Sequence, residues 1–221
     1  MTKKFLILLF LFTSFIGNTQ INQKANTDVL TSNFIKELQS QKIDTICVYK
    51  SYCVGSIMTY DEPLIGDKET CIDDLTNNPI YVFWKEQGKT FLTKINYCWE
   101  FSKINISQDV FWKIYTSNKT LFDNEEIKRF EYKPPSYHNK RTTHYVVDVD
   151  HSCHRNLKLY FNGNLIEKKF DDFVLQEKNG TETNINYTHN TTLKSKQLID
   201  ILKKITSDTE KNNQFKKVKS R

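Results

Sequence analysis

The sequence predicts an α+β fold, in which an antiparallel β-sheet of hairpins carries an N-terminal and a C-terminal helix packed on one face. Three observations predict this class: a helical repeat near the start, hairpin turn signals along the middle, and an amphipathic helix near the end. The strands are grouped between the helices and do not alternate with them, which favours α+β over a parallel α/β fold.

The two outer helices are predicted from the spacing of apolar side chains. Leu30, Phe34 and Leu38 recur every four residues, which indicates a helix over residues 27–41. A second amphipathic repeat over residues 198–205 indicates the final helix.

The middle of the chain gives weaker helix signals. Residues 107–117 fit a helix or a strand, and a helix is favoured because Ser107 and Asp109 are typical of a helix start. Asp123 and Glu126 have the spacing of a capping box, which predicts a short helix over residues 127–130.

Strands are predicted where β-branched and aromatic side chains lie between turn residues. The clearest hairpin has Asn162 and Gly163 at its turn, and Gly88 marks another. The predicted strands are residues 43–52, 54–60, 80–85, 90–95, 97–106, 143–149, 156–161, 165–170 and 173–176.

The first nineteen residues have the layout of a secretory signal peptide. Lys3 and Lys4 precede an apolar stretch, and small residues follow it, so we expect cleavage after Thr19. An uncleaved anchor is the alternative, but the apolar run is shorter than the ~20 residues that span a bilayer. No later run is long enough to span one. The sequence therefore predicts a periplasmic or secreted protein with no transmembrane span after signal removal.

The remaining chain is predicted to form one globular domain, residues 20–210, followed by a basic, disordered tail, residues 211–221. Removing Lys3 and Lys4 from the +6 formal charge of the whole chain leaves +4, and much of that excess lies in the tail. Arginine, which carries most bidentate phosphate recognition, is scarce, so a nucleic-acid partner is disfavoured.

Five cysteines remain after signal removal, namely Cys47, Cys53, Cys71, Cys98 and Cys153. An oxidising compartment permits disulfide bonds, and an odd count leaves at least one thiol free or paired with another chain. The sequence alone leaves the disulfide pairing of these cysteines open. Cys153 is the preferred free cysteine, because the other four lie in the N-terminal half.

The densest cluster of reactive side chains is segment 148–154. Its candidate metal ligands are His151, Cys153 and His154, since imidazole and thiolate are the usual ligands of zinc. Recognised four-ligand spacings such as CxxC or HExxH are missing, so a solvent-facing strand end is the favoured interpretation.

Two further possibilities involve the same segment. On a strand over residues 143–149 and its continuation, His144, Asp148 and Asp150 would share one face and could line a cleft. Cys153 could act as a nucleophile with His154 as its base. Adjacent residues on a strand point to opposite faces, which argues against that second arrangement.

Three tryptophans, Trp84, Trp99 and Trp112, occur among other aromatic residues. A row of exposed aromatics would bind sugars or an apolar ligand, but core packing is favoured because large apolar side chains are usually buried. Asn-X-Ser/Thr sequons are also present, and chance matches are expected in a chain so rich in Asn and Thr. They begin at Asn105, Asn118, Asn179, Asn186 and Asn190.

The sequence favours an exported, non-catalytic binding module whose partner is a protein or a cell-surface polymer. The first alternative is a metal-dependent or cysteine hydrolase centred on segment 148–154. The second is an inhibitor or immunity-type protein. No phosphate-binding loop or cofactor motif occurs, so no cofactor is predicted.

Overall fold

A computed structural model describes residues 27–55, 78–107, 109–134 and 143–220 of the protein. The predicted leader lies outside the described residues, and so does most of predicted strand 54–60. Within the described part, helices and antiparallel hairpin strands form an α+β fold, as the sequence predicts.

Among the described residues, the central sheet contains eight strands, all paired antiparallel. The strands are β1 (Ile46–Cys53), β2 (Ile80–Glu86), β3 (Lys89–Ile95), β4 (Trp99–Phe101), β5 (Ile104–Ile106), β8 (Cys153–Phe161), β9 (Asn164–Asp171) and β12 (Lys217–Ser220). Their order is β12-β4-β3-β2-β1-β8-β9, and β5 pairs separately with β3. The long-range β1–β8 pair therefore joins an N-terminal hairpin to a C-terminal hairpin.

The remaining elements surround this sheet. Two small sheets pair β6 (Phe130–Tyr132) with β7 (Tyr145–Val147), and β10 (Lys178–Asn179) with β11 (Glu182–Thr183). A 3-10 turn spans Phe173–Leu175. The helices are α1 (Thr27–Ser40), α2 (Val110–Ser117), α3 (Lys119–Asn124), α4 (Tyr187–Thr192) and α5 (Lys194–Lys211).

The sheet separates two hydrophobic cores. Ile46 and Val48 of β1 point towards α1, where they pack with Ile35 and Leu38. The alternate residues of β1 and β2 point the other way, into a larger core with α2, α3 and α5. The two terminal helices therefore lie on opposite faces, not on one face as predicted, because β1 and β2 are apolar on both sides.

Both predicted hairpin turns are confirmed. Gln87 and Gly88 have φ of 50° and 75°, and Asn162 and Gly163 have φ of 49° and 78°. Positive φ at both central residues is the type I′ geometry, whose twist matches that of the flanking strands. The turn residues therefore fix the register of β2–β3 and of β8–β9.

Three local predictions differ from the structure. The helix predicted over residues 127–130 is wrong, since residues 125–129 have no regular secondary structure and Phe130 begins β6. The residues predicted to continue the sheet at 173–176 form the 3-10 turn instead. The predicted disordered tail contains β12, which pairs with β4 at the sheet edge.

The cysteine expected to be free is not free. Cys153 forms a disulfide with Cys53, its direct neighbour across the β1–β8 ladder. Cys98 is disulfide-bonded as well, and Cys71 lies outside the described residues. Among the described cysteines the free thiol is Cys47, which is buried in the larger core.

Over the described ranges, none of the helices combines the length and the apolar character needed to cross a membrane.

Candidate functional site

The structure divides segment 148–154 among three places: the end of β7, the start of β8, and the bend between them, where Asp150 and His151 are exposed. His144 and Asp148 flank β7 and lie opposite polar side chains of β6 and the residue before it. His144 Nδ1 lies 3.7 Å from Glu131 Oε2, and Asp148 Oδ2 lies 3.5 Å from Arg129 Nη1. All four side chains are exposed in part or in full, so they form a solvated polar ladder and not the lining of a cleft.

The second location is the start of β8, beside the disulfide. The Ser152 hydroxyl donates a hydrogen bond to Asp171, and His154 Nδ1 lies 3.7 Å from the other oxygen of the same carboxylate. The His154 ring packs against Tyr52, with 5.1 Å between ring centroids. His151 is exposed and lies against Gly55, where any side chain would collide with its ring.

This arrangement limits the predicted chemistry. Cys153 is half of a disulfide, so it offers neither a thiolate ligand nor a nucleophile in this state. Across the described ranges, no three His, Cys, Asp or Glu side chains gather in a way that could hold a metal ion. In the cluster of Ser152, Asp171 and His154, the carboxylate lies between the hydroxyl and the imidazole. A serine nucleophile needs the imidazole in that central position.

The tryptophans do not form an exposed row. Trp84 and Trp112 are each 2% exposed and belong to the cores. Trp112 Nε1 donates to the Thr90 hydroxyl at 3.2 Å, and Trp84 packs against Phe34 of α1. Trp99 is half-buried, and Lys217 of β12 lies over its ring. Two of the three rings are therefore committed to packing.

The structure contains a groove that the sequence analysis did not identify. α1 lies over β2 and β3, and strands β8 and β9 extend beyond it on the same side of the sheet. The groove between α1 and the strands β1, β8 and β9 has a volume of about 530 Å³. Its floor contains Val48, Ile80 and Tyr160, and polar side chains form its walls.

The charged walls of the groove carry an excess of lysine. Lys50 Nζ is 2.9 Å from Asp28, while Lys158 and Lys169 share one carboxylate, Glu167, at 3.5 Å each. Lys36 of α1 also lines the groove and makes no ion pair within the described part of the chain. Four lysines therefore face two carboxylates.

A signal for this groove is present in the sequence of β8. Leu157 and Leu159 are buried against the larger core, whereas Asn156 and Lys158 alternate with them and point to the groove. This period-2 pattern indicates a strand with one wet face. The pattern does not reveal that α1 stands beside that face, because the contact depends on the long-range β1–β8 pairing.

Comparison of the chain with protein-family models, with curated proteins and with solved structures gave no match.

Proposed function

We propose that the protein is an exported, non-catalytic binding module that holds its ligand in the groove between α1 and strands β1, β8 and β9. The single observation that carries this proposal is that α1 covers only part of its face of the sheet. The part over β1, β8 and β9 is left open as a groove. The groove volume of about 530 Å³ is within the usual range of ligand sites, roughly 300–1,000 Å³.

The composition of the open face supports binding at that face. On the opposite side of β8 and β9, Leu157, Leu159 and Phe170 are buried under helices. On the groove side, Asn156, Lys158 and Lys169 occupy the alternate positions. Side chains of this kind keep a surface in contact with water, so a soluble ligand can reach it.

The state of the candidate nucleophiles supports binding over catalysis. Burial raises the pKa of the Cys47 thiol well above its usual value, which keeps this thiol protonated and unreactive. Cys153 is oxidised, and the Ser152 hydroxyl is held by the Asp171 carboxylate. None of these groups lines the groove.

The disulfides support export. Cys53–Cys153 and the bonded Cys98 are typical of an oxidising compartment, and the apolar leader is typical of a secreted precursor. We expect the native protein, isolated from its source, to begin at Gln20 on N-terminal sequencing. Native protein that begins at Met1 and fractionates with the cytosol would contradict the export part of the proposal.

The groove itself is tested by blocking it. Ser32→Trp places an indole on the exposed groove side of α1, and Asn33→Trp places the same group one position away, outside the groove lining. The probes are soluble polymers of different charge: oligogalacturonate, dextran, poly-L-glutamate and poly-L-lysine. At least one should bind the wild type, and Ser32→Trp alone should weaken that binding at least tenfold.

Two results would overturn the groove as the binding site. Either no probe binds the wild type, or the two tryptophan variants bind equally well. Chain length of each bound polymer is followed in the same samples, and its shortening by the wild type would show catalysis.

A further inference from the structure

We infer that the ligand of the groove is an acidic polysaccharide, an inference that rests on the proposed function and assigns the ligand class of the same site. Three features of the groove carry it: an excess of flexible positive charges, polar side chains that make no hydrogen bond to another described residue, and a floor whose backbone is paired on both sides.

The charges favour an anionic ligand. Among the described residues that line the groove, Lys36, Lys50, Lys158 and Lys169 are accompanied by two carboxylates, Asp28 and Glu167, which gives these side chains a formal sum of +2. A concave surface with one prevailing sign concentrates oppositely charged ligands. The Lys169 side chain is 66% exposed, so it can turn from Glu167 to a ligand at little cost.

All four cations are lysines, which favours a ligand with several anionic groups repeated along it at variable positions. Lysine presents a compact charge on a flexible stem, whereas arginine presents a rigid planar fork that suits one phosphate or carboxylate in fixed geometry. Carboxylates spaced along a polymer therefore match these lysines better than a single anionic group.

The uncharged side chains favour sugar rings. Ser32, Gln39 and Asn156 line the groove and make no side-chain hydrogen bond within the described residues. Their hydroxyl and amide groups can donate to and accept from sugar hydroxyls. Tyr160 adds an aromatic surface at one end, on which a sugar ring can stack.

The floor disfavours an extended acidic peptide. β1 is hydrogen-bonded to β2 and to β8, and β8 is hydrogen-bonded to β1 and to β9. A peptide added as a strand needs a free strand edge, and within the described residues that edge belongs to β9, at the margin of the sheet. A peptide paired there would lie beside the floor formed by β1 and β8, not across it. A ligand in the groove must therefore rely on side chains, as a polysaccharide does.

The test measures binding of oligogalacturonate, poly-L-glutamate and dextran to the wild type by calorimetry, and maps each by amide chemical shifts. We expect oligogalacturonate to shift the amides of α1, β8 and β9, to bind at least tenfold more tightly than poly-L-glutamate, and to weaken as salt rises from about 50 to about 300 mM. Dextran should not bind.

A charge-matched pair of variants completes the test. Lys36→Gln combined with Lys158→Gln removes two groove cations, and Lys203→Gln combined with Lys204→Gln removes two exposed cations from α5 on the other side of the sheet. The groove double variant should weaken oligogalacturonate binding at least tenfold, and the α5 double variant should change it less than twofold.

The outcomes separate this inference from the proposed function. Equal or tighter groove binding of poly-L-glutamate would identify an acidic protein segment as the ligand, and equal binding of dextran would show that charge is irrelevant. Either result overturns the inference and leaves a groove-binding module. If none of these polymers, nor poly-L-lysine, shifts groove amides, the proposed function fails as well.

Discussion

At the scale of single residues, three buried asparagines hold the C-terminal half together. Asn190 is fully buried, and its amide donates to the carbonyls of Lys128 and Val174 at 2.7 and 3.1 Å while it accepts from Lys128 N at 2.9 Å. Asn184 and Asn186 bond neighbouring backbone in the same way. The sequons at Asn186 and Asn190 thus fall on amides that are buried and hydrogen-bonded in the folded protein.

Replacing Asn190 with alanine should destabilise the protein by about 3 kcal/mol, because buried backbone groups of Lys128 and Val174 would lose their partners. Urea unfolding measures the loss. Asn105→Ala, at an exposed position of β5, is the matched control and should change stability by less than about 0.5 kcal/mol. Equal stability of the two variants would contradict the structural role of Asn190.

At the scale of elements, α5, the longest of the described helices, is capped by a residue from outside its own sequence. The N-cap residue of α5 is Leu193, which offers no capping side chain. Glu125 supplies the carboxylate instead. Its two oxygens accept from the backbone N–H groups of Lys194 and Ser195, and one also accepts from the Ser195 hydroxyl at 2.6 Å. This negative charge at a helix N-terminus also interacts favourably with the helix dipole.

Glu125→Ala should therefore lower the free energy of unfolding by about 1–2 kcal/mol, the usual range for a lost N-cap. Hydrogen exchange should speed up first at the amides of Lys194 and Ser195. The neighbouring Glu126→Ala keeps the backbone carbonyl that bonds His189 and should be nearly neutral. Similar losses in the two variants would argue against capping by Glu125.

The Cys53–Cys153 disulfide ties together residues that are 100 positions apart in the chain. Closing so long a loop restricts the unfolded chain, so the double variant Cys53→Ser, Cys153→Ser should lose about 3–4 kcal/mol. Wild type under reductant should lose at least as much, because Cys98 is disulfide-bonded too. An unchanged thermal midpoint in the double variant would show that the bridge adds no stability.

The sequence predicts elements well where a local signal decides them. The turns at Gln87-Gly88 and Asn162-Gly163 and the apolar repeats of α1 and α5 are local, and these elements are confirmed. The helix expected after Asp123 does not form, because distant contacts override its local signal. The Glu125 carboxylate binds the start of α5, and the Lys128 backbone bonds to Asn190, and both partners are more than sixty residues away.

At the scale of the whole molecule, tyrosines of the larger core predict a loss of stability at high pH. Burial, and then the neighbouring Glu210, raise the pKa of Tyr81, whose hydroxyl donates to Glu210 Oε1 at 2.8 Å. Burial also raises the pKa of Tyr49. In the unfolded chain tyrosine ionises near about pH 10. Above that pH the unfolded state loses protons that the folded state keeps, so stability falls.

Denaturant unfolding at a series of pH values measures the free energy of unfolding. The contribution of these tyrosines to it should be constant below about pH 10 and should decline above that pH. Tyr81→Phe should make the decline shallower. Tyr145→Phe, at an exposed position of β7, should leave the slope unchanged. Identical slopes in wild type and Tyr81→Phe would contradict the assignment.

The candidate site, unlike the elements, could not be predicted from the sequence. Its walls come from α1, β1, β8 and β9, which meet only because β1 pairs with β8 across about a hundred residues. The sequence indicates segment 148–154 as a candidate site because its reactive residues are adjacent along the chain. Adjacent residues on a strand point apart, and the structure distributes them between a polar ladder, a disulfide and an exposed loop.

The division of β1 between two apolar cores makes strand alignment vulnerable. A shift of β1 by one residue would move Cys47 and Tyr49 into the smaller core and Ile46 and Val48 into the larger one. Both cores would still be filled by apolar side chains. Hydrophobicity alone cannot reject such a misalignment, and the two tight turns join other strand pairs. The Cys53–Cys153 bridge links β1 directly to β8 and therefore fixes the pairing of these two strands.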